Sequence, residues 1–472
     1  MIPDILSSRY SSRKINEIWS PEGKIILERE LWIVVMKAQK KLGIKIPESA
    51  ISAYENVWKK VDLKSIEKKE KKLRHDVNSR IEEFNRLAGY NHIHKGMTSR
   101  DLTDNVEQLQ IIRSLRLTRI KIVALLHNLS NWSIKTKEIV LASRTHNVPA
   151  QPTTLSKRIA MFGEEILFAL KRLDHLIENY PIRGLKGAVG TQLDQMILLK
   201  NNKEKVRKLS EQILKHFDCK FSLNSVGQIY PRSLDMETVN ALICISSGIS
   251  NFAKTIRLMA GQGLASEGFM EGQIGSSAMP HKMNARTSER INGFHNILKG
   301  YGAMLAGLSG DQWNEGDVSC SVVRRVALPG SFFASDGQLE ASLTVVSEME
   351  FFETKISEEI KNSLPFLATT SLLMEAINKG SERDNVYEAI KEHSNKVAIG
   401  IGKGTIHEND LAKRLANDKR VPLDLNEIQK IFDNPNNSTA SAPSQSEKFT
   451  LEVEKWTSRF PESKKLSPES II

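Results

Sequence analysis

Three stretches of this chain repeat apolar residues at intervals of three and four, and that rhythm leaves few folds open. Leu115, Ile122 and Leu129 fall seven apart, with Ile112 and Leu126 beside them. Ile159, Phe162, Ile166, Ala169, Leu173 and Leu176 keep the same interval, and so do Leu242, Ile245, Ile249, Phe252, Ile256 and Met259. This spacing places each set on one stripe of an α-helix. Such stripes pack on near-parallel neighbours at a small crossing angle. Polar residues flank every stripe, so each helix needs partners. Several helices of roughly 20–30 residues imply a bundle, completed by other subunits where one chain leaves a stripe uncovered. Alternation of the β type is weak everywhere, and the expected class is all-α.

Three helical domains are expected. Residues 1–103 are dense in lysine and histidine and suggest short helices. Residues 104–365 carry the long seams, and residues 366–472 read as a smaller, polar helical tail. Within that tail, Asp433–Phe449 reads as a low-complexity loop.

The chain has 472 residues, 40% apolar and 26% charged, which is ordinary globular composition. Its net charge of +11 fits nucleic acid, a membrane surface or small anionic substrates. Much of that charge sits in runs such as Lys68–Arg74, "KKEKKLR", which read as solvated helix faces. No nucleic-acid module or aromatic–basic interleaving appears, so no nucleic-acid partner is expected. The cysteines, Cys219, Cys244 and Cys320, are far apart and lack metal-ligand spacing; no metal and a reducing compartment are expected. No apolar run approaches the ~20 residues that span a bilayer, and "MIPDILSSRY" is not a signal peptide. A soluble cytoplasmic protein with no membrane partner is expected.

Four polar islands interrupt the helical pattern. Arg74–Gln110 holds His75, His92 and His94, and its "TSRD" makes Thr98 or Ser99 a helix N-cap with Asp101 and Asp104 in the first turns. A helix N-terminus with hydroxyls also suits a carboxylate. Ser143–Arg158 places His146 beside Thr145 between two helical stretches. Gly184–Met196 is glycine-rich without the spacing of a phosphate loop. Gly272–Arg290, "GQIGSSAMPHKMNARTSER", follows a second glycine-rich run, Gly261–Gly268. Histidines, hydroxyls, a lysine and an asparagine converging at helix ends could perform general acid–base work on an acidic substrate.

The fourth island carries a resemblance. "GSSAMPHKMN" is similar to the GSSxMPxKxN signature of the fumarase/aspartase superfamily, and the other islands agree in order and spacing. Within it the chain resembles the adenylosuccinate lyase family. "SSRY" (Ser7–Tyr10), "RHD" (Arg74–Asp76), "HKGMTSRD" (His94–Asp101), "THNVPAQPTTLSKR" (Thr145–Arg158) and "QIYPRS" (Gln228–Ser233) carry that likeness. The resemblance implies a homotetramer around a central long-helix bundle, no cofactor, and active sites built from three subunits. It implies β-elimination of fumarate from adenylosuccinate, giving AMP, and from succinyl-aminoimidazole-carboxamide ribotide, in purine synthesis. Carried over, Ser276 takes the proton and His146 protonates the departing nitrogen. His75 and His94 orient the substrate. Arg9, Tyr10, Arg74 and Asp76 hold the nucleotide, with Arg290, Ser321 and Arg325 completing those contacts. Thr98, Ser99, Gln228, Lys282 and Asn284 hold the succinyl carboxylates, with Thr145 and Ser277 beside them. Glu289 either orients a histidine or is an ordinary helix residue. Ala285 stands where most of the family has proline, and Gly316 where much of it has arginine. The alternatives are another fumarate-releasing lyase of the superfamily, of the argininosuccinate lyase or aspartase type, and a non-catalytic helical scaffold.

Overall fold

Each apolar seam folds as one helix: Ser99–Lys135 with 37 residues, Leu155–Glu178 with 24 and Ser233–Gly261 with 29. Every seam residue named above is at most 8% exposed. The computed structural model describes residues 4–269 and 278–469. Two further helices, Arg286–Leu308 and Cys320–Glu348, close the bundle. Leu155–Glu178 packs between Ser99–Lys135 and Ser233–Gly261. Arg286–Leu308 joins Ser233–Gly261 to Cys320–Glu348, which returns to Ser99–Lys135. One hydrophobic core runs through these helices and into the shorter N-terminal ones, where Trp32, Tyr54 and Phe84 belong to it. A second core gathers Ile360, Leu372, Val386, Val397, Leu411 and Ile428 from five smaller helices between Glu353 and Phe432.

Two expectations are corrected. The segment 433–449 is not a loop: Pro435–Ser438 forms a 3-10 turn, and helix Ala442–Arg459 docks on Ser99–Lys135 and Leu155–Glu178. Its buried positions, Ala442, Ser446, Phe449, Val453 and Thr457, do keep helical spacing. Only two of them are large and apolar, so the stripe is hidden in polar composition. The second correction concerns Ser143–Arg158, which opens as an antiparallel hairpin, Val140–Thr145 with Val148–Thr154. Its alternation is masked by Pro149 and Pro152, which cannot donate to a ladder and sit beside a register shift. The hydroxyl of Ser143 serves that irregularity, donating to the Gln151 carbonyl at 2.5 Å.

Candidate active site

The long helices fix where each polar island can be. A helix of 37 residues is ~55 Å long at 1.5 Å per residue. Thr98 precedes the first turn of Ser99–Lys135, whereas the hairpin follows its last. Gln228 precedes Ser233–Gly261, and the signature loop follows that helix. The candidate residues therefore divide between the two ends of the bundle.

At the first end, buried charge locks three helix starts together. Asp104 Oδ1 accepts from Arg100 Nη1 at 3.0 Å and its Oδ2 from Arg232 Nη2 at 3.1 Å. Arg324 donates through Nε to Asp235 at 2.7 Å and through Nη1 to Glu107 at 2.6 Å. Burial pushes the Glu107 carboxyl up, but Arg324, Lys24 and Arg232 outweigh it and hold the group well below the usual range. A second hub is wholly buried. Arg183 donates to Asp101 Oδ1 at 2.5 Å and to the carbonyls of Gly187 at 2.8 Å and Gly227 at 3.1 Å. Asp101 also accepts the amides of Thr98 (2.9 Å), Lys186 (2.8 Å) and Gly187 (3.0 Å). The glycine-rich third island thus wraps its backbone around an ion pair, and the pair sets Thr98 and the segment before Gln228 in register.

Around this frame sit the candidate binding groups. His75 caps helix Asp76–Ala88, its Nδ1 accepting the Asn78 amide at 3.2 Å. Arg74, exposed, precedes it in the left-handed region. Asp76 faces Arg80 at 3.3 Å and Arg325 at 3.6 Å. Burial raises its carboxyl, but Arg80, the Val77 amide and Arg325 prevail and lower it. Ser321 Oγ accepts from Arg100 Nη2 at 3.0 Å. Arg9 is exposed and Tyr10 half-buried, the Tyr10 ring edge-on to Phe294 at 5.3 Å.

His94 Nδ1 accepts from the Trp32 indole at 3.0 Å. Indole nitrogen only donates, so the neutral imidazole carries its proton on Nε2. Burial is the main cause of a depressed pKa, with the nearby Asp101 opposing and His75 adding to the shift, which brings it to about 4. His94 is accordingly expected to stay neutral in this tautomer throughout the range where exposed histidines titrate. Nitrogen-15 spectra should show no His94 titration above about pH 5. Its unfolded counterpart takes up the proton first, near 6.5, so this contribution to stability is whole above that pH and lost as pH falls toward 4. A midpoint near 6.5 in the folded protein would contradict the half-buried placement of His94 against Trp32.

The second end holds His146, Lys282, Asn284 and Glu289. His146 and Asn147 form the two-residue hairpin tip with φ of 52° and 63°. Two positive φ values are what a type I′ turn demands, and Asn and His tolerate them better than most residues. His146 and Thr145 are exposed there. Arg144 pairs with Glu359 and fastens the hairpin to helix Glu353–Leu367. Lys282, Asn284 and Glu289 line a cleft of about 770 Å³ with Lys254, Arg257 and His281. Glu267, 4% exposed, accepts the Thr287 and Ser288 amides at 2.9 and 2.8 Å. It caps helix Arg286–Leu308, whose N-cap residue, Ala285, has no side chain able to do so. Arg290 lies in the first turns of that helix, at this end, and not beside Ser321 and Arg325 of the same chain. Ser276 and Ser277 lie outside the described residues.

The sequence reading did not single out Arg100, Arg183, Glu267 or the Asp104–Arg232 and Glu107–Arg324 pairs. A signal existed for some of them: Asp101, Asp104, Asn105 and Gln108 are polar residues on the buried side of a core helix. Gly316 has a physical reason as well. Its φ is +128°, and a Cβ there would stand 2.9 Å from Ile229 Cγ1. Any side chain there, arginine included, would strain the backbone and press on Ile229, while the Arg100 guanidinium reaches the adjacent Asp317 carbonyl at 3.3 Å.

A long-helix bundle with histidine-bearing polar loops at its ends is the architecture that the resemblance to the fumarase/aspartase lyases leads one to expect. A family model described as Lyase matches residues 7–297, and one described as Adenylosuccinate lyase C-terminus matches residues 365–449. The chain belongs to the adenylosuccinate lyase family of that superfamily. Adenylosuccinate lyase of Schistosoma mansoni is 32% identical over 88% of this chain and 87% of its own length. That of Saccharomyces cerevisiae is 30% identical over 94% and 93%. In fold, the chain is similar to the 3-carboxy-cis,cis-muconate lactonizing enzyme of Pseudomonas putida, with a TM-score of 0.82 at 17% identity, covering 96% of this chain and 100% of that one. Among the described residues no helix is long and apolar enough to cross a membrane.

Proposed function

We propose that this chain splits adenylosuccinate into AMP and fumarate, and succinyl-aminoimidazole-carboxamide ribotide in the same way, at sites shared between the subunits of a homotetramer. The observation that carries the shared site is the division of candidate residues between opposite ends of a ~55 Å helix, too far apart to meet in one chain. Exposed apolar side chains on the bundle helices, among them Met161, Phe168, Leu258, Val322 and Val326, support burial against other copies.

In this reading one subunit supplies the nucleotide end. Arg9, Tyr10, Arg74, Asp76, Ser321 and Arg325 hold the nucleotide, and Arg100 supplies the charge that position 316 lacks. Thr98, Ser99 and Gln228 hold the succinyl group, with His75 and His94 orienting it. His94, neutral with Nε2–H outward from Trp32, acts as a donor. A second subunit brings Thr145 and His146, and a third brings Ser276, Ser277, Lys282, Asn284, Glu289 and Arg290. Ser276 removes a proton from the carbon next to a succinyl carboxylate. The electron pair forms the fumarate double bond as the C–N bond breaks, and His146 delivers a proton to the departing nitrogen. Lys282 and Asn284 meet the negative charge that gathers on the carboxylate. Three free cysteines support a reducing, cytoplasmic setting.

Purified protein should release fumarate from adenylosuccinate and not from argininosuccinate or aspartate. Release from either of those, with none from adenylosuccinate, would reassign the substrate within the superfamily. No release from any would favour a scaffold.

A further inference from the structure

We propose that the segment reaching Glu469 clasps the N-terminal arm carrying Arg9 and Tyr10, and that Glu469 is a positioning residue for nucleotide binding. The proposal rests on the nucleotide role given above to that arm. It starts from a charge imbalance inside the bundle. Lys121, Asp336 and Glu340 are each at most 3% exposed, and Lys121 pairs with both carboxylates. One ammonium thus faces two acids. Burial lowers the Lys121 pKa, but Asp336 and Glu340 outweigh it and raise it; burial raises that of Glu340.

Two backbone amides, from segments more than 450 residues apart, meet the remaining negative charge. The Ser12 amide donates to Asp336 Oδ2 at 2.6 Å, and the Glu469 amide to Glu340 Oε2 at 2.6 Å. Ser12 is the N-cap of helix Arg13–Trp19, yet its hydroxyl does not cap; it accepts from Lys121 Nζ at 2.9 Å. The Arg13 amide instead donates to the Glu469 carboxylate at 2.9 Å. Glu469 therefore binds both partners of the joint, the core through its amide and the arm through its carboxylate. The turn Pro461–Lys465, with Ser463 buried, lies on helix Ser99–Lys135 and brings the segment to this point.

The joint is next to the arm's functional residues. Tyr10 is two residues before Ser12, and its Cβ lies 3.1 Å from where a Cβ on Gly337 would stand. The arm is thus seated on Asp336–Gly337 from one side and held by Glu469 from the other. Glu469 is exposed and takes no part in the bundle core, so its replacement is not expected to unfold the chain.

The test compares Glu469→Ala, Glu469→Gln and Arg9→Ala in the assembled full-length enzyme, using adenylosuccinate turnover and inhibition by AMP and by fumarate. Glu469→Ala should raise KM for adenylosuccinate and weaken AMP inhibition about three- to tenfold, the worth of one ordinary solvent-exposed hydrogen bond. kcat and fumarate inhibition should stay within about twofold, and thermal unfolding should be unchanged. Glu469→Gln, which keeps an acceptor oxygen, should recover most of the affinity. In an Arg9→Ala background the Glu469→Ala effect should shrink, because the two act on one arm. If Arg9→Ala weakens AMP binding and Glu469→Ala does not, the clasp is wrong and the nucleotide role of the arm stands. If neither weakens it, that role fails and the clasp falls with it. Equal losses for AMP and fumarate would mean general loosening, and would also overturn the proposal.

Discussion

Replacing Ser276 with alanine is expected to cut turnover by ~10²–10⁴-fold while adenylosuccinate still binds. The proton to be removed is on carbon beside a carboxylate and is very weakly acidic. Its loss drives negative charge onto that carboxylate, so the barrier falls only if fixed donors await it. A serine serves as base only when its alkoxide is stabilised and water is kept away. The described side of the signature loop is suited to that chemistry. Lys282 and Asn284 line one cleft, and the helix after them is anchored by the buried Glu267 carboxylate. Binding should survive because the groups proposed to hold the nucleotide belong to the other end of the bundle. Single-turnover rates and calorimetric affinity for Ser276→Ala check both halves. Near-normal turnover would remove Ser276 from the role of base, whereas loss of binding would make it a substrate contact.

The helical framework was legible because seam residues such as Leu115, Ile166 and Ile249 obey one period and have nothing to do but pack. His146 was legible as a candidate and not as a hairpin tip, since Pro149 and Pro152 break the alternation that announces a strand. The charged frame beneath the first end was illegible for a different reason. Asp101 finds Arg183, Asp104 finds Arg232 and Glu107 finds Arg324 across 82, 128 and 217 residues of sequence. No local spacing encodes such pairs; only the bundle brings them together. The same holds for Arg100, which reads as a helix-start residue until its guanidinium is seen on Ser321. Arg290 shows the converse. A role beside Ser321 and Arg325 is compatible with its chemistry, but the helix it opens places it at the far end of the same chain.

Mixing of inactive subunits is the second large effect, because the proposed sites draw His146 and Ser276 from different subunits. In the proposed homotetramer, His146→Ala and Ser276→Ala proteins should each be inactive, because every site contains the lesion. In mixed tetramers a site can take its His146 from the serine variant and its Ser276 from the histidine variant. With random association of equal amounts, about one site in four is then intact, and roughly a quarter of wild-type activity should return. The result follows from the proposed reading in which His146 comes from a second subunit and Ser276 from a third; the opposite placement of Thr98 and the hairpin on a 37-residue helix supports sharing between the two ends. The measurement is fumarate release from adenylosuccinate after mild dissociation and reassociation of the two variants, with hybrid formation verified by mass. Recovery toward a quarter of wild-type turnover is the predicted outcome. Verified hybrids that remain as inactive as their parents, with both variants folded, would contradict the placement of His146 and Ser276 on different subunits.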